Sequence, residues 1–349
     1  MGSLEKDAIV LEDIRSILDS NRDINNLSGK TVFITGGTGL IGSFIVKLLI
    51  EAGKSLPSPI KVLVLSRNAE KILDIFGKEY SKKIRVVEGD ILQLPSIDFP
   101  IDYFIHGASV TSSLQFIEQP VNTIETIVNG TQNVLDLALR LKAKSFVFLS
   151  SMEVFGFVQN TKPVDESEYG YIDILNVRSS YPESKRLAEC LCSAYSKEFG
   201  LSVYIARLAQ TIGPGMEYGD SRVAGHFARA VIEGKDIVLT TDGSTKRNTI
   251  YVADAVSAIL TILLKGEAGQ AYNVADKRSF LSIKDTAIMI ASKISANKIK
   301  VICGNKKDSL YSFNDSLSLN LSTVKLEKLN WKPLFNLEES YRRLITSFK

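Results

Sequence analysis

The stretch TVFITGGTGLIGSFIVKLL, residues 31–49, decides the fold. It opens on TVFIT, five residues that are all β-branched or aromatic, the composition of a strand. Gly36, Gly39 and Gly42 follow at three-residue steps, and an apolar helical segment comes after them. A strand–turn–helix unit of this kind needs a tight turn and close approach of a phosphate to the backbone. It also aims the helix N-terminus at that phosphate. A glycine triplet alone is weak evidence, so its weight depends on the surrounding chain.

The surroundings repeat the theme. KVLVL, IRVVEGD, DYFIHGAS, SFVFLSS and SVYIARL alternate with the helical segments NAEKILDIFG, VNGTQNVLDLALRLK and YPESKRLAECLCSAYSKEFG. Apolar runs between helices are strands covered on both faces, which predicts an α/β doubly wound parallel sheet. After about Arg207 the rhythm breaks at TIGPGMEYGDSR, rich in glycine and turn formers. The expected organisation is a helical extension over 1–28, a dinucleotide-binding domain over 29–206, and a smaller C-terminal lobe from 207–247 and 276–349. The segment around 248–275 is expected to complete the sheet. Ile9, Ile14, Ile17 and Leu18 form one stripe of a short helix, which docks on the main domain or on a second subunit. Ligands of such sheets bind beyond the carboxyl ends of the strands, here in a cleft between the lobes.

The totals exclude several classes. The chain has 349 residues, 45% hydrophobic and 23% charged, with a net charge of +3, too small to argue for nucleic acid or a membrane surface. Three cysteines make no disulfide framework, and two histidines make a metal site improbable. No apolar run approaches a membrane span, and the acid-containing N-terminus has no signal core, so a cytoplasmic protein is expected.

The end of the second strand bears on the dinucleotide. An acid there would bind ribose hydroxyls; the chain instead reads VLVLSRN, with Ser66 near that position and Arg67 after it. Arg67 can pair with a phosphate, which favours NADP over NAD. Asp90, in EGDI, is placed to reach an adenine amino group. YPESK sets Tyr181 and Lys185 four apart on one helical face. A phenol titrates at about 10, too high for a base near neutrality, and a neighbouring ammonium favours its ionised form. Tyr181 would then take a hydroxyl proton as hydride leaves the same carbon. The strand before this helix ends in SSMEVFG, so Ser151 would hydrogen-bond the reacting oxygen, and Ser150 would lie against the cofactor.

With TGGTGLIG, GDI, SSMEVFG, YPESK, IGPG and RNTIYVADA in place, the chain resembles the extended short-chain dehydrogenase/reductases that modify nucleotide sugars. The resemblance runs from about residue 29 to the C-terminus. It implies a Rossmann domain for NAD or NADP, a lobe for a nucleoside diphosphate sugar, and a homodimer packed through the tyrosine helix, with Leu187, Leu191, Ala194 and Tyr195 as one apolar face. It carries the family's triad onto Ser151, Tyr181 and Lys185. It places the cofactor against Thr38, Leu40 and Ile41 in the turn, Asn68 and Ile91 after two strands, and Ala108 and Ser109 after another. Within the family the chain looks like UDP-glucuronate decarboxylases, by MEVFG, VRSSYPESKR and GMEYGDSRVAGHF. That likeness gives Arg222 and Arg247 to the diphosphate or uridine. Glu153 would orient a decarboxylating uronate or remove a C5 proton. Met152 stands where the family's dehydratases carry a proton-donating aspartate. Gln210 and Phe155 replace the asparagine and tyrosine usual at those places, which points to altered sugar recognition. The rivals are a net NADPH-dependent 4-ketoreductase and a non-catalytic dinucleotide-binding regulator.

Overall fold

The computed structural model describes residues 2–158, 162–304 and 318–349, with residues 2–7 as backbone alone. Helix α1 (Gly2–Ser20) precedes β1 (Thr31–Thr35), α2 (Leu40–Gly53), β2 (Lys61–Ser66), α3 (Glu70–Ser81), β3 (Ile84–Glu88) and β4 (Tyr103–His106). Then come α4 (Ser113–Glu118), α5 (Pro120–Arg140), β5 (Ser145–Ser151), α6 (Ser180–Phe199) and β6 (Val203–Leu208). The remainder comprises β7 (Gln210–Ile212), α7 (Val223–Glu233), β8 (Ile237–Leu239), β9 (Lys246–Arg247), β10 (Thr249–Tyr251), α8 (Val252–Lys265) and β11 (Ala271–Val274). The last elements are β12 (Leu281–Ser282), α9 (Ile283–Met289), β13 (Val301–Cys303), α10 (Val324–Glu327) and α11 (Leu337–Ser347).

Seven strands form one parallel sheet in the order β11–β6–β5–β4–β1–β2–β3. Every residue of β1 and β6 is buried, as continuous apolar runs require when helices cover both faces. One face packs α2 and α8 in a single apolar cluster with β1; the other packs α5 and α6. The strand order reverses between β1 and β4, which opens the crevice where ligands of doubly wound sheets bind. The seventh strand, β11, comes from the 248–275 segment and pairs with β6.

A third apolar cluster joins Phe227 of α7, Ile290 after α9 and Leu344 of α11. Strands β7 and β10 pair in parallel and lead out of the main sheet toward it. Helix α1 docks on the main body of its own chain. Val10, Ile14 and Ile17 are buried in the same cluster as Leu49 and Ile259, while Ile9 and Leu18 lie half-buried at the margin. Asp13, fully buried on α1, accepts a 2.6 Å hydrogen bond from the Tyr251 hydroxyl and a 2.8 Å one from Arg343. Among the described residues, no helix is long and apolar enough to cross a membrane.

Candidate active site

At the β1–α2 turn the backbone is packed to its limit. Gly36 has φ +72°, and a Cβ there would lie 2.6 Å from the Gly107 carbonyl carbon. A Cβ on Gly42 would lie 2.1 Å from the Gly36 carbonyl oxygen. Gly39 caps α2 with no side chain over the helix end, so the first-turn N–H groups stay open to an anion. Thr38, Leu40 and Ile41 flank this opening, half-buried. Across the crevice, the Thr35 hydroxyl accepts from the Ala108 N–H at 3.1 Å, and Ser109 donates to the Val110 carbonyl. His106 is held between Thr35 and Thr131 and is pushed down to about 3 by burial, so its ring is neutral scaffolding.

At the end of β2 the Ser66 hydroxyl is buried and donates to the Asn68 carbonyl at 2.7 Å. Arg67 beside it is 82% exposed, its guanidinium 3.8 Å from Asp90. Asp90 accepts the Leu92 N–H at 2.8 Å, and Asn133 of α5 holds the carbonyls of Ile91 and Leu92. The open helix end, the Cβ-free turn and a cation beside the β2 end together fit a dinucleotide.

The reacting end is built from side chains. The Ser151 hydroxyl favours the ionised form of the Tyr181 phenol, and its oxygen caps the turn after β5 by accepting from the Glu153 N–H at 3.2 Å. Tyr181 stacks on Phe116, ring centroids 4.3 Å apart and 14° from parallel. Lys185 is buried; its ammonium donates to the Leu149 carbonyl at 2.9 Å and lies 4.6 Å from the centre of the Phe148 ring. Glu153 forms an ion pair with Arg178 at 2.9 Å, and the Arg178 guanidinium lies 4.7 Å over Phe116.

The electrostatics add a condition to the expected proton transfer. Burial pushes the Tyr181 phenol well above its ordinary value, Glu153 adds to that, and Ser151 and Arg178 act in the opposite sense. The Lys185 ammonium lies 5.8 Å from the centre of the Tyr181 ring while it donates to the Leu149 carbonyl. Burial pushes Lys185 itself down to about 8, against the pull of Glu189 and Cys192. The protein alone therefore keeps the phenol protonated. The Ser150 hydroxyl, at the end of β5, donates to the buried carboxylate of Glu189.

A family model, the NAD dependent epimerase/dehydratase family, matches residues 32–275. The chain belongs to that family. It is 29% identical over 324 residues to UDP-glucuronic acid decarboxylase 1 of Arabidopsis thaliana, covering 91% of this chain and 69% of that one. The corresponding Xenopus tropicalis protein is 27% identical, covering 92% and 72%. In fold, the chain is similar to a UDP-glucose 4-epimerase from Thermotoga maritima, with TM-score 0.74, 22% identity and coverage of 91% and 98%. It is also similar to a dTDP-glucose 4,6-dehydratase from Streptomyces venezuelae solved with NAD, with TM-score 0.72, 23% identity and coverage of 91% and 96%. The fold expected from the glycine turn and the buried strands is the fold found.

The residues expected at the substrate end of this family member are more scattered. Gln210 is half-buried in β7, opposite Thr249 of β10. Arg247 is half-buried in β9, paired with Leu281 of β12. Arg222 caps α7, its guanidinium held by Asp220 at 2.6 Å. Phe155 does not face a sugar: it is fully buried beneath the Arg207 guanidinium, 4.9 Å from ring centre to Cζ. Phe116, Glu189 and Arg207 escaped the sequence. Arg178 was legible only as part of a family likeness. Their signal was faint: Glu189 follows Lys185 at the same four-residue step that separates Lys185 from Tyr181. Among the described residues, no cluster of three potential metal ligands exists.

Proposed function

We propose that the protein modifies a nucleoside diphosphate sugar through transient oxidation at C4, with UDP-glucuronate decarboxylation as the favoured net reaction. The observation that carries this is the grouping of the Tyr181 phenol, stacked on Phe116, with the Glu153–Arg178 ion pair just past Ser151 at the carboxyl end of β5. A bound dinucleotide would supply a reversible hydride acceptor; Gly36, Gly39 and Gly42 would hold its phosphates, Asp90 its adenine, and Lys185 its nicotinamide ribose.

Ser151 orients the sugar hydroxyl and Tyr181 receives its proton. A buried phenol does this only when positive charge is brought near it, so proton transfer is tied to a loaded site. The C4 ketone then lets the C5–C6 bond break, the electron pair passing to C5 and the ketone oxygen as carbon dioxide leaves. Glu153 orients the uronate for that step, and Arg178 offsets the charge of the two carboxylates. Met152, half-buried between Ser151 and Glu153, has no proton for a departing C6 hydroxyl, which disfavours dehydration.

Arg67 favours NADP, since an exposed guanidinium beside the adenine ribose suits a 2′-phosphate. The same observation favours the second reading, a 4-ketoreductase that consumes NADPH. The exposed apolar residues Val121 and Ile124 of α5 and Leu187 of α6 support a homodimer through these helices. Incubation with UDP-glucuronate tests the proposal: carbon dioxide and a UDP-pentose should form with no net change in reduced nicotinamide. Stoichiometric loss of NADPH on a 4-keto sugar would establish the second reading instead.

A further inference from the structure

Helix α6 carries Tyr181, Lys185 and Glu189 at successive four-residue steps, which places all three on one face. Each meets the end of β5. Tyr181 stands where Ser151 acts on its phenol, Lys185 donates to the Leu149 carbonyl, and Glu189 accepts from the Ser150 hydroxyl at 2.5 Å. The third contact is itself held. Arg207 lies opposite Ser150 in the β5–β6 register and donates to both Glu189 oxygens at 2.7–3.1 Å. Arg207 is 1% exposed and Glu189 6%. The other side of this guanidinium donates to the Glu166 carbonyl at 2.8 Å and to the Tyr169 hydroxyl at 2.6 Å, in the segment between β5 and α6. The Glu166 carboxylate in turn accepts the Asn273 N–H of β11 at 2.8 Å.

Desolvating two charges to build such a pair is expensive, and a well-packed apolar pair often stabilises a fold as well or better. Such a pair is weak evidence for stability, and its carboxylate stands one helical turn beyond Lys185 on the same face of α6. We propose that Glu189 is a positioning residue: a carboxylate fixed by Arg207 and Ser150 that keeps the Lys185 ammonium charged and aimed at the end of β5. The proposal rests on the reading of Lys185 as Tyr181's partner in catalysis. The other groups facing Lys185 do not supply this charge. His106 of β4 is neutral, Phe148 and the Leu149 carbonyl of β5 carry no net charge, and Cys192 of α6 is a thiol pushed further up by burial. Arg207 of β6 is a cation on the far side of Glu189.

The test is Glu189→Gln, which keeps the shape and removes the charge, with Glu189→Asp as the conservative rescue. The double variant Glu189→Gln, Arg207→Met avoids a stranded buried cation and serves if the single variant does not fold. The Lys185 amine is titrated by NMR on lysine-labelled protein, identified by its loss in Lys185→Met, and the pH profile of kcat/KM is recorded alongside. The expected result is a midpoint lower by about one pH unit in the charge-free variants, since a nearby opposite charge favours the charged amine and shifts its titration by one to three units. The limb of the rate profile should move with it, and Glu189→Asp should restore both. An unmoved midpoint in a folded variant overturns the proposal. A moved midpoint with an unmoved rate profile instead overturns the catalytic reading of Lys185, so the two failures are told apart.

Discussion

The two ends of the crevice solve their problems with different materials. The β1–α2 turn is made of backbone, and its specificity is steric: Gly36 and Gly42 exist because no Cβ fits beside Gly107 or the Gly36 carbonyl. The end of β5 is made of side chains whose charges are held by other side chains, from Arg178 on Glu153 to Arg207 on Glu189. Backbone cradles tolerate no addition but carry no proton. Side-chain sites move protons, but need a network to keep each group in its charge state. The contrast predicts that substitutions at the first end act on cofactor affinity and those at the second on turnover.

Tyr181→Phe is the sharpest break at the side-chain end. Removing the general acid–base should lower kcat by about 10³-fold. Cofactor affinity, measured by fluorescence titration, should be unchanged, because Phe keeps the stack on Phe116. A Tyr181→Phe enzyme of normal rate would end the proposed mechanism. Gly42→Ala is the counterpart at the backbone end. Its methyl group meets a carbonyl oxygen at 2.1 Å, so the start of α2 must shift. Dinucleotide affinity should fall about 100-fold, roughly 3 kcal/mol, with kcat at saturating cofactor nearly preserved. Equal losses in both quantities would erase the distinction between the two ends. Arg67→Ala gives the smallest effect: any preference for NADP over NAD should fall by about tenfold, since the lost phosphate contact is solvent-exposed. An unchanged ratio of the two affinities would remove Arg67 from cofactor choice.

The two ends also differed in how far they could be read from sequence. TVFIT and SVYIARL announce strands buried on both faces because burial in a parallel sheet leaves no polar alternation, and the glycine spacing announces a local turn. Tyr181 and Lys185 were legible for a similarly local reason, the pitch of one helix. What resisted was long-range pairing. Arg207 meets Glu189 only once β6 is in register with β5 and α6 has packed across both. Phe155 looked like a substrate residue until the chain's path placed it under Arg207. Helix pitch also could not show that burial, a tertiary property, pushes the Tyr181 phenol up.

The meeting of Asp13, Tyr251 and Arg343 has a practical corollary. One carboxylate fastens the first helix, the last helix and the strand that enters α8. Trimming away the first helix would leave the buried Tyr251 phenol and Arg343 without their carboxylate, and trimming away the last would leave the buried Asp13 without its guanidinium. Shortened versions made for crystallisation would then differ from the full chain in more than their mass.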